Sequence, residues 1–386
     1  MTKKSSIKTS WDRKCARLAT ALLTLLSPMF VSGAAAQTQL QKYLPGATPE
    51  GAVYFLPKTA VRISVLIEKS TFQPGDFCRY AQKYLRLSDA GQEPWVSHRV
   101  LSITQTPVGV ADTSKAYALK FDPRTVAVNV RLSDDGCLQG INTPLSPSEG
   151  GKGLGPSDRK KGNQVGTTSA QRGREGFQYL TEEILAAGST AKMAELTARE
   201  IYDIRENRSL LVKGQADFMP KDGRQLELML QQLDTQDRAL TALFAGTLVC
   251  DTTEEVIIVT PDAPCERQLL FRLSQTLGLV DVDDLSGEPF YISIDDMHSM
   301  PPVDSVAAAK VKKKTYEAGV YVNIPGRLRT TIYQGINQLQ TAEFPAPQFG
   351  HVELLSGDLF NKRYTTRLWL SPLTGAVERL EADIPK

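Results

Sequence analysis

Histidine and cysteine are scarce in this chain, and the motifs that usually carry hydrolytic or redox chemistry are missing. Three histidines and five cysteines occur among 386 residues. His98, His298 and His351 stand far apart, so no His-Glu-x-x-His zinc motif exists. Cys-x-x-Cys spacing, a Gly-x-Ser-x-Gly elbow and a glycine loop between a strand and a helix are also absent. These absences argue against zinc, redox, serine-hydrolase and nucleotide-dependent activities.

The chain also lacks an excess of either charge once its first segment is set aside. It contains 45 basic and 43 acidic residues, of which six basic residues and Asp12 lie within the first 36 positions. The remainder therefore has 39 basic and 42 acidic residues, a formal net charge of −3. A nearly neutral protein has no general electrostatic attraction for nucleic acid, so we expect no nucleic-acid partner.

Long hydrophobic runs are missing everywhere except near the N-terminus. A basic region precedes the apolar run "LATALLTLLSPMFV", and "GAAAQ" then supplies small residues at Ala34 and Ala36. This order predicts a signal peptide over residues 1–36, cleaved before Gln37. Cys15 precedes the apolar run, so a lipid anchor is disfavoured. The sequence therefore predicts an exported protein without a transmembrane segment, located in the periplasm, at the outer membrane or outside the cell.

Four cysteines follow this segment, an even number that allows two disulfides in an exported protein. We favour Cys250–Cys265 and Cys78–Cys137, because each pair then stays within one predicted domain. Four free, buried thiols are the alternative, since a chain of this length can form a core that needs no crosslinks.

Two regions alternate apolar and polar residues with the period of β-strands. In the first, residues 37–145, "AVRISVLIEK" places Val61, Ile63, Val65 and Ile67 on one face. The second, residues 246–386, has many short strands separated by Gly and Pro. Both regions end in a strand closing with Leu-Ser, a Gly turn and a returning strand, which indicates two related sheets or ordinary hairpin chemistry.

The segment between these regions has a different composition. Residues 146–175 are rich in Gly, Ser, Pro and charge, which predicts a flexible linker or loop. Residues 176–245 have helical periodicity, with Met193, Leu196, Ile201 and Ile204 on one face of a helix. A second helix carries a longer apolar stripe: Leu226, Met229, Leu230, Leu233, Leu240, Leu243 and Phe244. These stripes can be covered by each other, by a sheet or by a partner protein, and we favour burial within the same chain because it is commoner.

These patterns together predict a mostly β, α+β protein. It would contain two β-rich, sandwich-like or barrel-like domains, residues 37–145 and 246–386, joined by an amphipathic helical hairpin over residues 176–245.

Several blocks of the chain resemble one known family in the same order. They are "EKSTFQPGDFCRYAQKYL", "GREGFQYLTEEILAAGSTAKMAELTAREIYDIRENR", "MPKDGRQLELMLQQLDTQDRALTALFAGT", "LGLVDVDDLSGEPFYIS" and "SPLTGAVERLEA". Together they resemble exported proteins of Bacteroidetes-type bacteria catalogued as domain of unknown function 4831. The resemblance covers essentially the whole chain after the signal peptide. It implies a location in the cell envelope and a shared architecture, with no catalytic residues to transfer.

One acidic cluster, "VDVDDLSGEPF", could supply oxygen ligands to a cation. Its members are Asp281, Asp283, Asp284 and Glu288. Clustered carboxylates suit calcium, but Leu285 stands where a ligand is needed in a helix-loop-helix site and Gly287 comes one position late. The alternative is a solvent-facing turn whose carboxylates accept hydrogen bonds from nearby backbone amides.

The absence of a catalytic constellation favours a non-enzymatic role, as a binding or scaffolding component of the envelope with a protein partner. The alternative function is a periplasmic hydrolase that cleaves glycan or peptide with two carboxylates. An exposed apolar surface on the helices would favour the first function, and a pocket with two close, pKa-shifted acids would favour the second.

Overall fold

The computed structural model of this protein describes residues 39–43, 45–46, 51–120, 129–144, 175–220, 222–301, 319–360 and 365–383. Within these ranges the chain forms thirteen strands and four α-helices. The strands are β1 Gln39–Lys42, β2 Ala52–Gln73, β3 Trp95–Lys120, β4 Val130–Leu132, β5 Leu138–Ile141, β6 Thr247–Val259, β7 Cys265–Ser274, β8 Gly278–Val280, β9 Glu288–Asp296, β10 Gly319–Gln334, β11 Asn337–Ser356, β12 Thr365–Leu370 and β13 Val377–Asp383. The helices are α1 Ala81–Leu85, α2 Glu182–Leu185, α3 Thr190–Lys213 and α4 Gly223–Ala245. The protein is mostly β, as the sequence predicts.

Two antiparallel sheets form a sandwich. The first sheet has the strand order β1-β3-β2-β6 and the second has the order β11-β10-β9-β7-β8. The β2 residues Val61, Ile63 and Val65 are fully buried, as their alternation predicts. They pack against side chains of the second sheet that include Ile292 and Ile332. This group of buried residues is called the sandwich core.

A third sheet, with the order β13-β12-β5-β4, combines strands from both ends of the chain. Its hairpins β4–β5 and β12–β13 are the two segments whose sequences look alike, and they pair through Leu368↔Ile141. The similarity between these two hairpin sequences therefore reflects their pairing in one sheet and does not indicate two related sheets. Tyr54 and Leu56 of β2, Val320 of β10 and Leu368 of β12 meet in a second buried cluster, the three-sheet core.

The turn after β12 is held tightly by the first two sheets. The buried Asn323 side chain donates hydrogen bonds to the carbonyls of Pro57, at 2.9 Å, and Thr374, at 2.7 Å. A Cβ atom at Gly109 would lie 2.3 Å from the Pro372 carbonyl, so only glycine allows this approach. The turn residue Gly375 has φ +69°, which also favours glycine.

Helices α3 and α4 pack together over the chain that follows β2. Phe77, Ala81, Ile201, Leu240 and Phe244 are buried in one cluster, called the helical core. Ile204 is buried there too, while Met193 and Leu196 are half-buried against it. The prediction that the chain itself covers this face of the helix is confirmed. No helix of the described residues is long and apolar enough to cross a membrane.

The prediction of two β-rich domains joined by a helical hairpin is not confirmed. Strand β6, which follows the helices, pairs with β2 over thirteen residue pairs. Strand β5, from the first region, pairs with β12 near the C-terminus. Residues 37–145 and 246–386 thus share two sheets and two cores, because alternation predicts a strand but not its partner. Residues 1–36 and 146–174 lie outside the described part of the chain.

We predict that Ile63→Ala lowers the free energy of unfolding by about 2–5 kcal/mol, because it leaves a cavity in the sandwich core. Chemical denaturation monitored by circular dichroism gives this value. Ile258→Ala, on the exposed edge of the same sheet and 45% exposed, is the matched control and should cost about 1 kcal/mol or less. Equal losses for both variants would contradict the assignment of the sandwich core.

Candidate functional site

The histidines, cysteines and acidic residues of the described part of the chain do not cluster as a metal site. No group of three or more His, Cys, Asp or Glu side chains lies close enough to hold a metal ion there. The three histidines lie on separate elements, each with a ring nitrogen near a backbone carbonyl: Gln275 for His98, Asp296 for His298 and Pro301 for His351. They do not form a common site.

The carboxyl groups with a resolved pKa shift are all shifted downward, and they are half-buried beside hydrogen-bond donors. Hydrogen bonds from Arg99 and Ser70 lower the pKa of Glu68, and a hydrogen bond from Lys192 lowers that of Glu195. A general acid needs a raised pKa, which burial or a neighbouring carboxylate would cause. No observation on the described residues favours the hydrolase.

The acidic cluster forms a turn between β8 and β9. Asp284 accepts a hydrogen bond from the Ser286 backbone amide, at 2.9 Å, which lowers the pKa of Asp284. Glu288 instead accepts a bond from Gln334 on β10. The Arg272 guanidinium bonds to the carbonyls of Val282 and Gly287 at the two sides of this turn. The structure does not bring Asp281, Asp283, Asp284 and Glu288 together as one set of ligands.

All four cysteines in the described residues are free thiols, so the predicted disulfides are absent. Cys250 lies opposite Ser70 on β2. Val259, where β6 ends, is nine positions further along the strand, or roughly 30 Å away. The chain turns towards Cys265 only after Val259. Cys137 forms a bridge to Phe55, near the start of β2, whereas Cys78 follows the other end of β2. Disulfides require Cα atoms within about 7 Å, so neither pairing is possible in this fold.

The helix pair, meaning α3, α4 and residues 214–222 between them, extends beyond the helical core. The buried residues of the pair lie mostly at one end, from Ala194 to Ile204 on α3 and from Leu240 to Phe244 on α4. At 1.5 Å per residue the 24-residue helix α3 is about 36 Å long, and its last nine residues contribute nothing to the helical core. This outer half of the pair is held by other contacts.

Ion pairs between the two helices hold the outer half together. Arg205 donates hydrogen bonds to Asp237, and Arg208 lies 3.0 Å from Asp234. Arg205 also reaches the Thr241 hydroxyl at 3.2 Å. These partly exposed pairs contribute modestly to stability, but they fix the two helices side by side. The outer half can therefore present a defined surface.

That surface exposes large apolar side chains. Val212 at the end of α3 is 68% exposed, Phe218 in the connection is 65% exposed, and Leu228 on α4 is 58% exposed. Met219 is exposed beside Phe218 in sequence. We call Val212, Phe218 and Met219 the apolar tip. Leu226 and Leu230 are half-buried on the face of α4 opposite Leu228, because helical residues two positions apart do not share a face. Sequence periodicity alone does not identify Phe218 and Met219, because they lie in an irregular connection, although two large apolar residues in a polar loop are a signal for a binding surface.

A groove of about 620 Å³ runs along α4 next to the apolar tip. Its described lining residues are Gly223, Leu226, Glu227, Leu230, Gln231, Asp234, Thr235 and Arg238. They recur every three or four positions over about 24 Å of helix. An apolar centre at Leu226 and Leu230 with polar residues on both sides is the pattern of a helix face that packs against another helix.

Comparison with known proteins identifies a family but no characterised relative. The model of a family described as Domain of unknown function (DUF4831) matches residues 50–378. No curated protein and no solved structure matches the chain. The matched range includes all three cores and the apolar tip.

The thiols provide a direct test of the cysteine environments. Burial raises the pKa of Cys137 from 9.0 to about 11. At mildly alkaline pH we therefore expect Cys137 to react with iodoacetamide about a hundredfold more slowly in the folded than in the unfolded protein, since its thiolate is depleted and shielded. Its rate should rise as the pH approaches 11.

Exposed Cys250 should be labelled rapidly in the same sample, and mass spectrometry of peptides measures both rates. Cys250→Ser is the control that identifies the fast site. Peptides of Cys250 and Cys265 linked under non-reducing conditions would contradict the free-thiol assignment.

Proposed function

This chain belongs to the DUF4831 family, a domain of unknown function, and we propose that it is an exported, non-enzymatic binding component of the cell envelope. Its partner is a protein that presents the apolar face of an amphipathic helix. The binding site is the apolar tip together with the groove on α4. The basic, apolar and small-residue segments of positions 1–36 support export.

The single observation that carries this proposal is the exposure of Val212 and Phe218 at one end of the helix pair. Packing within the chain buries the other end of the same helices. Phe and Met are enriched in protein interfaces, and an exposed apolar patch marks an interaction site.

The pattern of residues along α4 supports a helical partner. Its lining follows one face of α4 over sixteen positions, from Gly223 to Arg238. A helix laid along this face places side chains between the Leu226 and Leu230 ridge and the polar residues beside it. Arg238 on its border would orient a partner that carries a negative charge there.

Site-directed crosslinking in the intact envelope tests this proposal. A photoreactive residue replacing Phe218 should give one discrete crosslinked product, because the side chain lies at the centre of the contact. The same residue replacing Ile336, which is 90% exposed in the turn between β10 and β11, is the control and should give none. Products of equal yield at both positions would contradict a site on the helix pair.

The double variant Val212→Ser/Phe218→Ser should reduce partner recovery by about tenfold or more, since each anchor is expected to contribute roughly 1 kcal/mol or more. Its unfolding transition should stay close to that of the parent protein, because both side chains are outside the cores. Ile336→Ser is the matched control for loss of an exposed apolar side chain. Unchanged recovery with the double variant would refute the proposal.

A further inference from the structure

Strand β6 has a long and regular free edge. It pairs with β2 from Val61↔Val259 to Gln73↔Thr247 without a register shift. Among the described strands, none pairs with its other edge. An edge of this kind presents backbone N–H and C=O groups to which another strand can add.

The other free edges in the described sheets are interrupted or short. The register of β11 shifts at two places, and those of β13 and β4 shift once each. Strand β3 has two register shifts against β2. Its exposed edge is also in contact with the β7–β8 turn, because the His98 amide donates a hydrogen bond to the Gln275 carbonyl at 2.7 Å. Strands β1 and β8 contain four and three residues. Bulges and shortness protect edges from pairing, and β6 has neither.

Strand β6 carries acidic side chains along this edge. Asp251 lies opposite Lys69, whereas Glu254 and Glu255 lie opposite the apolar residues Leu66 and Val65. In the described part of the chain none of these three acids forms an ion pair within 4 Å. Glu254 and Glu255 are neighbours in a strand, so their side chains lie on opposite faces of the sheet. Both faces of the edge are therefore acidic.

We propose that β6 binds an extended, basic segment of another protein, which adds to the first sheet as an antiparallel strand. Like charges directly opposite each other destabilise strand pairing, and opposite charges stabilise it. Two copies of this chain paired through β6 about Thr253 would place Asp251 opposite Glu255. A second copy is disfavoured in that register, and a cationic strand is favoured.

The register fixes a sequence pattern for this segment. The residues opposite Glu255 and Glu254 are consecutive, and the residue opposite Asp251 comes three positions later. All three should be Lys or Arg. Ile258 and Leu248, which are 45% and 57% exposed, favour apolar residues three positions before and six positions after the basic pair. The segment thus has eleven positions. Positions 1 and 11 are apolar, positions 4, 5 and 8 are basic, and the other positions can hold any residue.

Fluorescence anisotropy with the labelled peptide Val-Thr-Thr-Lys-Lys-Thr-Thr-Lys-Thr-Thr-Val tests the charges. We expect saturable binding to the full chain, and about tenfold weaker binding to Glu254→Lys/Glu255→Lys. A peptide with Glu in place of its three Lys should show the opposite preference. The control Glu266→Lys/Glu378→Lys makes the same change in net charge at exposed positions elsewhere and should bind like the parent. Equal weakening by both double variants would show that peptide binding depends only on the net charge of the protein, which would overturn the proposal.

Backbone methylation tests strand addition itself. Alternate N–H groups of an extended peptide point to the same side, so methylating one alternate set blocks the edge that faces β6 and methylating the other set does not. One of the two methylated peptides should therefore lose binding, and the other should retain it. Equal behaviour of the two would refute strand addition. So would protection from hydrogen exchange, in the free protein, of the alternate β6 amides that face away from β2.

Discussion

The fold depends on one strand, β2, which contributes buried side chains to two cores and whose end leads into the third. Tyr54 and Leu56 lie in the three-sheet core, Val61 to Ile67 lie in the sandwich core, and Phe77 just beyond the strand lies in the helical core. Pairing with β3 on one side and β6 on the other leaves β2 central in its sheet. Each fully buried aliphatic side chain of this strand contributes about 1.5–3 kcal/mol, so its face is a large share of the apolar stabilisation. The strands that follow the helices return to this same surface.

Polar contacts then fix the layers around β2 at defined points. The Gln348 side chain binds both the amide and the carbonyl of Thr59, and also the Pro261 carbonyl. The Tyr54 hydroxyl accepts a hydrogen bond from the Tyr321 amide at 3.0 Å, and burial raises the pKa of this tyrosine well above its usual range. Asn323 holds the β12–β13 turn in the same way. These contacts satisfy backbone groups where the sheets meet, and a wrong register would leave those groups unpaired.

The helix pair and the edge of β6 are surfaces of different physical kinds on this framework. The first is apolar and belongs to helices whose own hydrogen bonds are complete, so it can bind only through side chains. The second has unpaired backbone groups and acidic side chains, so it selects an extended and basic segment. Isolated helices are marginally stable, and the outer half of the helix pair relies on ion pairs such as Arg205–Asp237 and on continuity with the buried half. The helical core therefore stabilises the outer half of the helix pair, although no residue of that core lies on the exposed surface.

Local patterns in the sequence determined which segments form strands and helices, and which faces are buried. The alternation at Val61, Ile63 and Val65, the helical periodicity around Ile201 and Ile204, and the Gly turns of both hairpins all depend on neighbouring residues, so they can be recognised without the fold. The scarcity of histidine and the missing catalytic motifs were equally visible. Strand pairing is different, because hydrogen bonds of the backbone are nearly the same for every partner. Only the tertiary structure decided that β6 joins β2, that β5 joins β12, and that Cys250 and Cys265 lie far apart. Only it decided that Phe218 stays exposed, since burial depends on which distant segments arrive to cover a side chain.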